Sequence, residues 1–142
     1  MAREGNHTIE FPYTRSLGPI IGAFAEGLEA GKILASKAGG KVLCPPLEYD
    51  PYTAEAAEAE LVEVGPEGTV ESWTYVAEPT RSHPSEGAFA FALITLDGAD
   101  TALVHAVDAT PGSLTKGARV RPRWREERTG LITDIECFEV VS

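Results

Sequence analysis

Cysteine is scarce in this chain. Only Cys44 and Cys137 occur among 142 residues, too few for a four-thiolate metal centre. With no secretory leader ahead of them, both read as reduced thiols. Long apolar runs are missing as well: none approaches the roughly 18 residues that a membrane helix needs. The opening stretch, MAREGNHTIEFPYTRS, lacks the basic-then-apolar order of a signal peptide. A cytoplasmic protein without a membrane partner is expected. Positive charge is short too. The formal net charge is -10, which opposes nucleic acid, because neutralising phosphates supplies most non-specific affinity.

The motifs of common chemistries are also absent. No G-x-x-x-x-G-K-[ST], G-x-G-x-x-G or G-x-S-x-G occurs, and no H-E-x-x-H or C-x-x-C. His7, His83 and His105 lie far apart in sequence. Cys44, just before Pro45-Pro46 with Lys41 nearby, is the best lone nucleophile, but reactivity needs a lowered pKa. A buried structural thiol is the plainer account. His83 shares the 78–87 loop with Arg81 and two prolines, and reads first as part of a polar loop.

What is present is mostly β pattern. Residues 1–15 read as an extended arm, with Phe11 and Tyr13 suited to docking around Pro12. A helix follows, capped by Ser16, with Pro19 in its first turn. Ile20, Ile21, Phe24 and Leu28 share one face, and the end falls near Gly31. That face can pack on its own domain or meet a partner. Residues 32–53 read as an irregular hairpin around Gly39-Gly40, with Pro45-Pro46 extended and Asp50-Pro51 turning. The run AEAAEAE at 54–60 favours helix but is too short to hold one alone. Strands are expected near 60–64, 69–77, 88–96, 101–107, 118–125 and 131–141. Phe89, Phe91 and Leu93 alternate with Ala88, Ala90 and Ala92 at the period of a strand, and Asp97-Gly98 signals a turn. Short strands with turns between them suit a small barrel of the OB type.

One constellation is unusual. Arg119, Arg121, Arg123 and Arg125 alternate with Val120, Pro122 and Trp124, which in a strand puts four guanidinium groups on one face. They can be a solvated face paired to local glutamates. They can instead meet an acidic partner surface or the phosphates of coenzyme A, since guanidinium forks match both. Pro122 predicts an edge or a bulge, because it donates no ladder hydrogen bond.

The order of parts resembles the zinc-ribbon-plus-OB-fold acyl-CoA-associated family, a domain of unknown function of type thirty-five. Its ribbon reads C-x-x-C-G, four residues, then P-P-R-x-x-C-x-x-C. The spacing matches Ser36 to Gly40, Lys41 to Cys44 and Pro45 to Thr53, but the ligand positions hold Ser36, Gly39, Asp50 and Thr53. Gly68 to Thr74 (GTVESWT), Phe89 to Gly98 (FAFALITLDG) and Lys116 to Val120 (KGARV) resemble further family strands. The resemblance implies residues 16–58 as a helix plus a vestigial, metal-free, rubredoxin-like ribbon, and 59–142 as the OB barrel. It implies a non-catalytic partner of a thiolase-fold subunit in a hetero-oligomer, in lipid or steroid catabolism. A coenzyme A ester would be the substrate of the complex, with no cofactor or metal bound by this chain. The expected interface is Phe11, Tyr13, Ile20, Phe24, Leu28, Tyr49, Tyr52, Arg81 and His83. A nucleic-acid-binding OB module using Trp73 and Trp124 is the rival reading, and a stand-alone enzyme using Cys44 or His83 is a third.

Overall fold

A computed structural model describes residues 17–141. The arm at 1–15, with Phe11 and Tyr13, and the cap expected at Ser16 lie outside the described residues. Helix α1 (Gly18–Glu29) starts from Leu17, which makes no side-chain cap, with Pro19 in the first turn. It ends at Gly31, whose φ is +77°. There the Gly31 and Lys32 amides return to the Leu28 and Gly27 carbonyls, a Schellman closure.

A small antiparallel sheet follows. β1 (Ile33–Ala38) turns through Gly39-Gly40 into β2 (Lys41–Leu43), and β3 (Val62–Val64) pairs with the other side of β1. Both turn glycines have positive φ, as a two-residue turn of this hand requires. α1 packs on β1. Gly27, which on propensity alone only weakens the helix, has a packing reason: a Cβ there would lie 2.9 Å from Leu34. The AEAAEAE run forms no helix. It doubles back instead, with Tyr49 bridged to Ala56 and the Asp50 amide bonded to the Glu55 carbonyl.

The barrel comprises β4 (Gly68–Val76), β5 (Phe89–Leu96), β6 (Leu103–Asp108), β7 (Arg119–Trp124) and β8 (Ile135–Val140). It closes in the order β4-β5-β6-β8-β7, with β6 and β8 parallel and every other pair antiparallel. This is the five-stranded OB arrangement. Because β3 lies in the small sheet, the barrel itself starts at Gly68. β7 meets β4 only at Gly68 and Thr69, so Pro122 faces a stretch where no partner needs its missing N–H, as an edge position predicts.

Aliphatic side chains and the ring of Phe138 fill the narrow interior. Ala90, Ala92, Ile94 and Leu96 of β5 are buried with Val70, Val107, Val120, Ile135 and Phe138. Leu28, Ile33, Cys44 and Val64 join the same apolar cluster. The 97–102 loop sews sheet to barrel: the Val42 amide donates to Asp100 Oδ2 at 2.8 Å, and Thr101 Oγ1 both accepts from the Cys44 amide and donates to its carbonyl.

Candidate functional site

Sequence patterning singled out several residues, and the fold separates them. Ile20 and Leu28 are buried and Phe24 packs on the core. This corrects their reading as partner contacts: the apolar face of α1 is consumed by its own sheet. Tyr49 and Tyr52 are 58% and 85% exposed, on the loop after β2. The Lys41 ammonium sits 4.6 Å from the Tyr52 ring centre.

The 78–87 loop folds back over the outside of β5. His83 Nδ1 accepts the Thr80 amide at 2.8 Å. Its ring meets Phe89 and Phe91 edge-on, with centroids 5.6 and 6.1 Å away. The histidine is thus a clasp on the two aromatics that point out of the barrel, while Arg81 remains exposed. Beneath the loop lies an open cleft of about 350 Å³ that sequence spacing does not reveal, because it joins distant strands. Phe89, Ala106 and Val107 contribute to its apolar part, and Glu86, Asp108 and Glu136 line it with Arg123 and Cys137.

The arginine stripe is paired at home. Arg119 forks onto Asp97 at 2.6 and 2.8 Å and holds that carboxyl below its ordinary range. Arg121 bonds Glu139 at 2.9 Å. Arg123 donates to Asp108 at 2.9 Å and to Cys137 Sγ at 2.8 Å, and lies 3.2 Å from Glu136. Arg125 Nε donates to the Thr133 carbonyl at 2.7 Å. The alternation of charge is real, but carboxylates of β6, β8 and the 97–102 loop already pair with three of the four arginines. Solvated pairs of this kind contribute little to stability. Trp73 and Trp124 both pack partly against the core, which leaves less ring face for the stacking a nucleic-acid reading needs.

Neither thiol is activated. Cys44 is fully buried, and desolvation pushes its pKa up to about 12, so at neutral pH it is a thiol. Burial also raises Cys137, against the opposing pull of Arg123. No group of three or more His, Cys, Asp or Glu side chains among the described residues could hold a metal ion. The four ribbon positions do not fit zinc. Ser36 Oγ is engaged with the Leu47 amide and carbonyl at 2.9 and 2.8 Å. Gly39 has no side chain, and Asp50 Oδ1 is taken by the amides of its own turn, Tyr52 and Thr53.

His105 supplies a pH dependence. It lies against Phe138 with centroids 5.3 Å apart, and burial lowers its pKa below the ordinary 6.5, against the carbonyls of Ile132 and Ala106. The unfolded chain therefore takes a proton more readily than the folded one, so stability falls as pH drops below that value. Asp134 acts further down. Burial would raise its pKa, but the amides of Thr129, Gly130 and Leu131 outweigh it and lower it below 3.8. Its contribution is complete above 3.8 and lost as pH falls through the folded value. Urea titrations from pH 7.5 to 5 should show falling stability in wild type and a flatter profile in His105→Gln. An unchanged profile in that variant would remove His105 as the cause.

Residues 61–125 match the family model described as ChsH2, C-terminal OB-fold domain. No curated protein matches. Among solved structures, the chain is similar to a protein of unknown function from the DUF35 family of Sulfolobus solfataricus. That likeness has 21% identity over 87% of this chain and 83% of that chain, with a TM-score of 0.63. It is also similar to the Ltp2-ChsH2(DUF35) aldolase, with 18% identity over 89% of this chain and 98% of that chain, and a TM-score of 0.62.

Proposed function

We propose that this chain, which carries a barrel of the ChsH2 C-terminal OB type, is a non-catalytic accessory subunit of a thiolase- or aldolase-like enzyme. The likeness that carries the reading spans 89% of this chain and 98% of a chain of the Ltp2-ChsH2(DUF35) aldolase. The substrate of the complex is an acyl-coenzyme A ester of lipid or steroid catabolism, and the reacting nucleophile belongs to a thiolase-fold partner. Two findings support this division of labour: both thiols here are held protonated by burial, and every arginine of the stripe has a partner within the chain.

The docking residues in this reading are Tyr49 and Tyr52 on the loop after β2, Arg81 and His83 on the 78–87 loop, and Phe11 and Tyr13, which lie outside the described residues. Exposed tyrosines are common anchors, because their large rigid area costs little entropy on binding. Tyr49→Ala and Tyr52→Ala are each expected to weaken the complex by about tenfold or more. The melting temperature of the isolated chain should stay unchanged, since both rings are solvated. Calorimetric titration with a co-expressed thiolase-fold protein from the same genome measures this. Recovery of no thiolase-fold partner would end the proposal. Salt-sensitive binding of single-stranded DNA would revive the nucleic-acid reading, which the paired arginines and half-buried tryptophans oppose.

A further inference from the structure

We propose that the Asp50 carboxylate does in this chain what a metal ion does in a zinc ribbon: it ties the Gly39-Gly40 hairpin to the 50–55 turn. Asp50 is 1% exposed, one of three buried polar or charged residues among those described. Its Oδ1 accepts the Tyr52 amide at 2.7 Å and the Thr53 amide at 3.3 Å. Its Oδ2 has no hydrogen-bond partner and is turned onto Gly39. A Cβ at position 39 would overlap that oxygen and lie 2.8 Å from the carboxylate carbon.

The four positions that align with thiolate ligands therefore work as a set. Ser36 Oγ closes one side by bonding both the amide and the carbonyl of Leu47. Gly39 leaves the space, and Asp50 fills it. Thr53 is drawn in through its amide, and its own Oγ1 accepts the Glu55 amide at 3.3 Å. The Tyr52 amide foremost, then the Thr53 amide and Lys41, hold the carboxyl below its ordinary range, against burial. Metal binding normally supplies the folding free energy of so small a ribbon. Here a charge replaces it that accepts two amide bonds within its own turn, lies against Gly39 and attracts Lys41 of the hairpin, since hydrogen bonds to charged groups are the strong ones. The lone buried oxygen is the cost of the exchange. This inference stands apart from the partner reading and survives its failure.

Amide hydrogen exchange on the full chain, with metal analysis of the same preparation, tests it. The wild-type chain should carry no stoichiometric zinc, and a chelator should leave its melting temperature unchanged. Asp50→Ala should speed exchange at the Tyr52 and Thr53 amides by about tenfold or more, with Val107 and Phe138 of the barrel still protected. Asp50→Asn, which keeps an acceptor, should fall between. Gly39→Ala should loosen the same two amides with the carboxylate still present, because the methyl expels it. Stoichiometric zinc, a melting temperature lowered by chelator, unchanged exchange in Asp50→Ala, or equal loosening of the barrel would each overturn the proposal.

Discussion

Phe138→Ala is expected to cost about 3–5 kcal/mol, the range for deleting a buried aromatic ring. Phe138 is fully buried in β8. It sits opposite Val107 of β6 in the parallel pair and opposite Pro122 of β7. The parallel contact involves only two residue pairs, Val107 with Phe138 and Asp108 with Glu139. The barrel is therefore thin in hydrogen bonds where Phe138 contributes its side chain. Removing the ring opens a cavity against Val107 and strips His105 of its packing face. A chain of this size has about 5–15 kcal/mol in total, so the variant loses about a fifth of it or more, roughly 10–15 °C in melting temperature. Phe138→Leu, nearer in volume, should cost less than about 1.5 kcal/mol. Urea denaturation of both variants measures this. A loss under about 1 kcal/mol for the alanine variant would mean that the β6–β8 seam does not depend on this ring.

The strands of the barrel were legible because alternation survives in them. The expected spans 69–77, 88–96, 101–107 and 118–125 each fall within two residues of an observed strand end. The last run divides, since Ile132–Asp134 forms a 3-10 turn before β8. Which face turns inward was less legible. Large apolar residues usually mark a core, yet β5 sends Ala90 and Ala92 inward and leaves Phe91 and Leu93 outside. A five-stranded barrel is too narrow for rings from every strand, so the methyl face wins the interior. The bulky face is then covered in part by a loop whose anchor is His83.

The candidate site was less legible for a different reason. Periodicity names the face of an element but not what covers it. Ile20, Phe24 and Leu28 form the same stripe whether the neighbour is β1 or another subunit, and only the chain's return through β1 decides. The arginine stripe has the same ambiguity. Its carboxylate partners, Asp97, Asp108, Glu136 and Glu139, lie 13 to 22 residues away along the chain. No local window pairs them. Ser36, Gly39 and Asp50 read as lost ligands in sequence, because a replacement by shape leaves no motif.

Gly68→Ala is expected to destabilise the chain by about 1–3 kcal/mol, as overpacking does, although it adds one methyl and removes no contact. The Cβ would lie 2.9 Å from the Thr95 carbonyl oxygen, 2.8 Å from Ile94 Cγ2 and 3.2 Å from the Leu96 Cα. Two of those three atoms are backbone, so no rotamer change relieves the contact. Strand β5 itself must move away. Gly68 is also one of only two residues pairing β4 with β7, the other being Thr69, and that pairing closes the barrel. The displacement therefore falls on the seam with the least reserve. Ordinary helix or strand propensity predicts the reverse, since alanine costs less backbone entropy than glycine. A melting temperature at or above wild type would mean that β4 and β5 do not approach as closely as the geometry requires. A lowered one, with faster amide exchange at Val70 and Val120 than at Val107, would locate the opening at the β4–β7 closure.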